Sequence, residues 1–140
     1  MFKRVPYSKL NARQQENHNF HKVAAALADF GYTSIRLSDD FNGADFLAMH
    51  VDGRHILRIQ LKGRLTFHSK YYGKGLHIAF RVGQHIYIYD HDELRQRLTD
   101  EGFVERSTSE KWITEGSRSW KNIPKKMQYL LDEYKLETFE

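Results

Sequence analysis

The stretch GADFLAMHVDGRHILRIQLKGR, residues 43–64, reads as two strands joined by a tight turn. Asp52-Gly53 is a strong two-residue turn signal, and it predicts a hairpin with strands over 44–51 and 54–63. Residues two apart on a strand share a face. Gln60 and Lys62 therefore project together, while Ile59 and Leu61 point the other way. Asp45 opens the first strand. A carboxylate, a side-chain amide oxygen and an ammonium are thus gathered at one end of the hairpin, the set that metal-assisted phosphodiester cleavage requires.

Upstream, residues 11–30 carry the signals of a helix. Asn11 can cap it, Gln14 stands in the capping-box position, and Gly31 is a natural terminator. Phe20, Val23, Ala24 and Leu27 form its apolar stripe. At 100° per residue, Glu16 lies within roughly 60° of Phe20, Val23 and Leu27, on the packing side where an acid is unusual. YTSIRL (32–37) reads as a strand and SDDFNG (38–43) as a polar loop.

Downstream, LTFHSKYYGKG (65–75) carries two glycines without clean periodicity and is expected to be a mobile loop. LHIAFRV (76–82) and HIYIYD (85–90) form a second hairpin across Gly83-Gln84. A short helix follows over 91–101, with Asp90 as cap, Glu93 at the box position and Gly102 as stop. The segment 104–120 is ambiguous. A last helix begins near Pro124 and packs through Met127, Leu130, Leu131 and Tyr134. Helix, three strands, loop, two strands, helix, irregular segment and helix make an α/β or α+β domain, a mixed sheet covered by helices.

The 140 residues suit one domain over 1–140, and 40% hydrophobic content with 14% aromatics supplies a core. No run approaches the ~18–20 apolar residues of a membrane span, and the basic N-terminus lacks the apolar region of a secretion signal. The absence of cysteine excludes disulfides and thiolate metal sites and fits a cytoplasmic protein. Net charge is +4, but its distribution says more. No acid falls between Asp52 and Asp90, where Arg54, Arg58, Lys62, Arg64, Lys70, Lys74 and Arg81 all stand. Such a run faces solvent or an anion, and its position beside the hairpin favours a nucleic-acid backbone.

Asp45 followed on the next strand by Gln60-Leu61-Lys62, after a leading helix that carries Glu16, resembles the PD-(D/E)XK nuclease superfamily in its Holliday-junction-resolvase-like branch. The resemblance implies a restriction-endonuclease-like fold, a mixed sheet of about five strands flanked by helices. It also implies a phosphodiester hydrolase acting as an endonuclease, on DNA in preference to RNA, with Mg²⁺ or Mn²⁺ as cofactor. Asp45, the Gln60 side-chain oxygen and the Leu61 carbonyl would hold the metal, with Glu16 as a further ligand, directly or through water. Lys62 would orient the attacking water or stabilise charge on the phosphorane-like transition state. Small members often act as homodimers to address two strands. The chain departs from the pattern at Ala44, where proline is usual, and at Gln60, where an acid is usual. The loss of that charge supports an alternative: a catalytically degenerate nucleic-acid-binding or assembly protein that retains the fold.

Other motifs are weaker. His18 with His21, and His50 with His55 across the turn, are pairs that would suit Zn²⁺, but spacing supplies no third ligand. Gly73-Lys74-Gly75 lacks the spacing of a phosphate-binding loop. Tyr71, Tyr72, Trp112 and Trp120 stand near basic residues in irregular segments, a composition suited to base stacking or, for the tryptophans, to closing the core. RSWKNIPKK adds Arg118, Lys121, Lys125 and Lys126 as a second phosphate patch.

Overall fold

The computed structural model describes residues 1–106, 112 and 116–137, and of residues 40 and 41 the backbone alone. Part of the ambiguous 104–120 segment therefore lies outside the described residues. Helix α1 (Ala12–Ala28) starts at a complete capping box. The Asn11 side chain accepts the Gln14 N–H at 2.8 Å, and Gln14 Oε1 accepts the Asn11 N–H at 2.9 Å. Such a cap stabilises a helix start by about 1 kcal/mol.

Among the described residues seven strands follow: β1 (Tyr32–Phe41), β2 (Ala44–His50), β3 (Ile56–Leu61), β4 (Leu65–His68), β5 (Leu76–Val82), β6 (His85–Asp90) and β7 (Ser117–Trp120). Five of them form a sheet in the order β1-β2-β3-β5-β6. β3 and β5 run parallel and the other neighbours antiparallel, so the sheet is mixed and flanked by helices. Helix α2 (His91–Asp100) leaves β6 directly, with the Asp90 side chain accepting the Glu93 N–H at 3.0 Å. The expected last helix is instead a short run of turns: 3-10 at Lys125–Met127, one α-turn at Gln128–Leu131, and 3-10 again at Asp132–Tyr134.

The sheet is covered on both faces. Phe20, Val23, Ala26 and Leu27 of α1 pack on Phe46, Ala48, Ile59, Ala79 and Ile86. Phe20 meets Phe46 edge-on at 5.0 Å between ring centroids, a geometry that adds about 1 kcal/mol beyond burial. On the other face Leu76, Ile78 and Phe80 of β5 pack with Leu65, Phe67, Leu94, Leu98, Met127 and Leu131. Leu76, Ile78 and Phe80 alternate with His77 and Ala79 along β5, which is the two-residue period of a strand buried on both sides. Among the described residues, no helix is long and apolar enough to cross a membrane.

Three expectations are corrected. First, SDDFNG is no loop: β1 runs on to Phe41 and turns at Asn42-Gly43, with Phe41 paired to Ala44. Both turn residues have positive φ, 51° and 91°, the conformation that Asn-Gly favours in a two-residue hairpin. Second, the Asp52-Gly53 turn is wider than two residues. Met49 pairs with Ile56, the His50 N–H donates to the His55 carbonyl at 2.9 Å, and residues 51–54 form the loop. Third, residues 65–75 are not a mobile loop. Leu65 and Phe67 are buried, and β4 pairs with β7 in a two-stranded ribbon. The buried Tyr89 hydroxyl clamps β4 to the sheet, donating to the Thr66 carbonyl at 2.6 Å and accepting the Thr66 N–H at 3.1 Å.

The first of these turns yields an expected result. A Cβ at Gly43 would stand 2.8 Å from Leu76 Cδ1 and 3.3 Å from Tyr71, in a backbone conformation L side chains rarely adopt. Gly43→Ala should cost about 2–4 kcal/mol, the sum of backbone strain and overpacking. A urea titration with an unchanged slope and a lowered midpoint checks it.

Candidate nucleic-acid cleavage site

The β2–β3 register brings the hairpin residues together. Phe46 pairs with Ile59, and one step further along the ladder Asp45 stands beside Gln60. The Leu61 N–H donates to Asp45 Oδ2 at 2.8 Å, which fixes the carboxylate across the two strand ends. Gln60 folds its amide toward the Leu61 carbonyl, with Nε2 3.4 Å from that oxygen. The Lys62 N–H donates to the Ala79 carbonyl at 2.9 Å, so the backbone bearing the lysine is tied to β5.

Glu16, Asp45, Gln60, Leu61 and Lys62 line one cleft, together with Tyr7, Gln15 and Asn19. Asp45, Gln60 and Lys62 also line an adjoining hollow, whose other walls are Gly43, Lys70, Tyr71 and Lys74. The three hairpin side chains therefore separate an acidic recess beside α1 from a basic recess beside the β4–β5 connection. Tyr7, Asn19 and Arg36 belong to this neighbourhood without any sequence signal. The Asn19 side chain donates to the Tyr7 hydroxyl at 2.9 Å and accepts from Arg81 at 2.8 Å.

Glu16 is not an inward acid. Its side chain is 55% exposed and sits 3.4 Å from Arg36 Nη2. Arg36 also donates to Asn17 and lies over the Phe20 ring at 5.2 Å. The helical wheel gives the direction of Glu16 correctly, but this part of α1 overhangs the cleft instead of the packed sheet. An exposed contact of 3.4 Å is weak, so Arg36 does not hold the carboxylate away from a cation. The donors that Glu16, Asp45, Gln60 and Leu61 bring to the cleft are hard oxygens: two carboxylates, an amide carbonyl and a main-chain carbonyl. That chemistry fits Mg²⁺ or Mn²⁺ and not a metal that prefers sulfur or imidazole.

The proposed nucleic-acid contacts divide. Tyr71 is 3% exposed, so it is a core residue and not a base-stacking platform. Lys62 and Lys70 place their ammoniums 5.3 Å and 5.2 Å from its ring centroid, and this apolar floor with its electron-rich face positions both cations. Arg118 is engaged by Glu105 at 3.0 Å and lies over the Trp120 ring, which removes it from the exposed phosphate patch. Trp112 is buried with Arg95 over its ring, and Trp120 packs against the core. Arg64, Lys70, Tyr72, Lys74, Lys121 and Lys125 are exposed.

A polar chain stitches the basic recess to the core. The His68 N–H donates to Nε2 of the buried His91 at 3.1 Å, and His91 Nδ1 meets Asp92 Oδ1 at 2.8 Å. Accepting at Nε2 leaves the proton on Nδ1, so the dyad fixes one neutral tautomer. Asp92 Oδ2 in turn accepts the Gly73 N–H at 2.8 Å, anchoring the turn between Lys70 and Lys74. Burial, opposed by Asp92, lowers the His91 pKa below its ordinary value.

No family model matches this chain, and no curated protein matches it. Among solved structures it is similar to a bacterial homing endonuclease, with a TM-score of 0.49 and 10% identity, over 89% of this chain and 94% of that one.

Proposed function

We propose that this chain is a metal-dependent nuclease that hydrolyses phosphodiester bonds, with DNA as the substrate its family resemblance implies. One observation supports the reading above the others: Glu16 from α1, Asp45 from β2, Gln60 and Leu61 from β3, and Lys62 directly after that strand line a single cleft that opens beside two exposed lysines. Asp45 and Glu16, with the Gln60 and Leu61 carbonyls, would hold Mg²⁺ or Mn²⁺. When bound, such an ion supplies Lewis-acid neutralisation of the phosphate and acidifies water. Lys62 carries three donors and no acceptor. Its ammonium orients the attacking water through a lone pair or neutralises a non-bridging phosphate oxygen as charge builds there. Lys70 and Lys74 hold the neighbouring phosphates and set the strand in register with the cleft. A homodimer addressing both strands belongs to the same reading.

A second reading is favoured by Gln60, whose neutral amide lies against the Leu61 carbonyl instead of adding a charge to the cleft. On that reading the chain binds nucleic acid without cutting it. Incubation with duplex, branched and single-stranded DNA and with RNA, in Mg²⁺ or Mn²⁺, separates the two. Chelator-sensitive cleavage supports the nuclease, and binding without cleavage on any substrate supports the alternative.

The basic recess gives its own expected result. Replacing Lys70 and Lys74 by glutamine should weaken binding about equally for all sequences. Each lost phosphate contact should flatten the log–log salt dependence by roughly 0.7–0.9. Fluorescence anisotropy across a salt series measures it, and an unchanged slope would make this run a solvated surface.

A further inference from the structure

At the far end of the same hairpin, three side chains converge that the cleavage site does not use. His50 ends β2, Asp52 stands in the loop, and His55 precedes β3. One ligand atom from each lies within 4.8 Å of the other two. We infer that this tip is a binding site for a borderline divalent transition cation of the Zn²⁺ class, held by His50 Nδ1, Asp52 Oδ2 and His55 Nδ1.

His50 Nδ1 accepts the Asp52 N–H at 3.1 Å, so that nitrogen carries a lone pair and its proton is on Nε2. Asp52 Oδ2 lies 3.2 Å from the same nitrogen and can only accept. The single lone pair of that nitrogen is engaged by the Asp52 amide, so a cation between Nδ1 and Oδ2 takes the place of that hydrogen bond and is attracted by both atoms. Ligand atoms about 3.3 Å apart are what a tetrahedral ion with bonds near 2.0 Å requires, so the His50–Asp52 separation already matches.

Asp52 and the His50 ring are oriented before any ion arrives. Asp52 Oδ1 is occupied by the Arg54 N–H at 2.7 Å and the His55 N–H at 3.1 Å, which orients the carboxylate and directs Oδ2 toward the two imidazoles. His55 Nδ1 lies 2.5 Å from Oδ2, closer than ligand spacing, so an ion that replaces this hydrogen bond moves the exposed His55 ring outward. The His50 ring is wedged: Tyr32 meets it edge-on at 4.9 Å, and a Cβ on Gly31 would come within 3.1 Å of its Nε2. Hydrogen-bonded or packed partners on the remaining atoms are what orient metal ligands in built sites.

The donor set selects the metal. Two imidazoles and one carboxylate suit Zn²⁺, Ni²⁺ or Co²⁺ and are poor for Mg²⁺. Three protein ligands leave a fourth position for water. Asp45 and His50 are five residues apart on one strand, about 17 Å at the rise of a β-strand, so the two sites do not share an ion. The ion at the tip would fix the end of the hairpin whose other end carries Asp45 and Gln60. This inference does not depend on the nuclease reading.

The test is calorimetric titration of the full chain, without an affinity tag, with Zn²⁺ alone. One equivalent should bind with micromolar or tighter affinity, and melting temperature should rise with added Zn²⁺. His55→Ala, at an exposed side chain, and His50→Gln should each weaken that equivalent by at least about tenfold. Asp45→Asn should leave it unchanged. Replacing Zn²⁺ by Co²⁺ should give visible d–d absorption that His55→Ala removes. No stoichiometric binding, wild-type binding by both histidine variants, or loss in Asp45→Asn alone would each overturn the site.

Discussion

Asp45→Asn should abolish divalent-metal-dependent cleavage while the protein stays folded. The substitution removes the charge that would hold the cation but keeps an oxygen acceptor for the Leu61 N–H, which now donates to Asp45 Oδ2 at 2.8 Å. Asp45→Ala would also orphan that amide, at about 1–3 kcal/mol, so alanine confounds chemistry with stability and asparagine does not. Several kcal/mol of transition-state stabilisation correspond to a rate loss of about 10³-fold or more. Nucleic-acid binding in the absence of metal should persist or tighten, because less negative charge then faces the phosphates. Gln60→Glu should act in the opposite sense and strengthen Mn²⁺ affinity by adding a carboxylate to the cleft. Cleavage assays paired with a melting curve check both. Activity that survives Asp45→Asn would place the chemistry elsewhere.

The second large effect lies behind the basic recess. His91→Phe keeps a ring among Phe67, Tyr71 and Tyr72 but removes the acceptor for the His68 N–H and the donor to Asp92. A loss of about 2 kcal/mol is expected, below the sum for two orphaned groups because Asp92 is partly exposed to water. Nucleic-acid affinity should fall as well, since the Asp92–Gly73 contact that holds the Lys70–Lys74 turn is left without its dyad. The wild type should also show a pH signature. Burial lowers the pKa values of His91 and His77 from 6.5, so the unfolded chain binds more protons. Their contribution is fully present above about pH 6.5 and is lost as the pH falls toward their folded values. Stability measured by denaturant from pH 7.5 to 5 should decline, and His91→Phe should reduce that decline. A slope unchanged in the variant would remove His91 from this account.

Much of the fold was legible where local chemistry decides it. The Asn11 capping box, the Gly83-Gln84 hairpin and the Asp90-capped helix depend on neighbours in sequence, and each stands where its residues put it. Two similar dipeptides show the limit. Asn42-Gly43 makes the tight turn although it follows a polar run, because β1 is an edge strand with an open side and needs no apolar alternation. Asp52-Gly53 sits inside a wider loop, because the Asp52 side chain caps two backbone amides and draws Arg54 into the turn. The β4–β7 ribbon had no local signal: its four-residue strands find each other only across the folded domain. Of the candidate site, the strand period paired Gln60 with Lys62 and the hairpin brought Asp45 beside them, and the three line one hollow. The helical wheel gave the azimuth of Glu16 but not the overhang that leaves it exposed. Composition could not tell that Tyr71 is buried, because the covering ribbon is a tertiary feature.

On the proposed function, the hairpin end and α1 form one metal-binding cleft. Crystals soaked in Mn²⁺ and measured for anomalous scattering at the manganese edge test it directly. The account predicts a peak within bonding distance of the Asp45 carboxylate and the Leu61 carbonyl, facing Gln60 and Glu16, and no such peak in Asp45→Asn. An enzyme that cuts DNA in Mn²⁺ yet shows no density there, or shows it only away from Asp45, would contradict it.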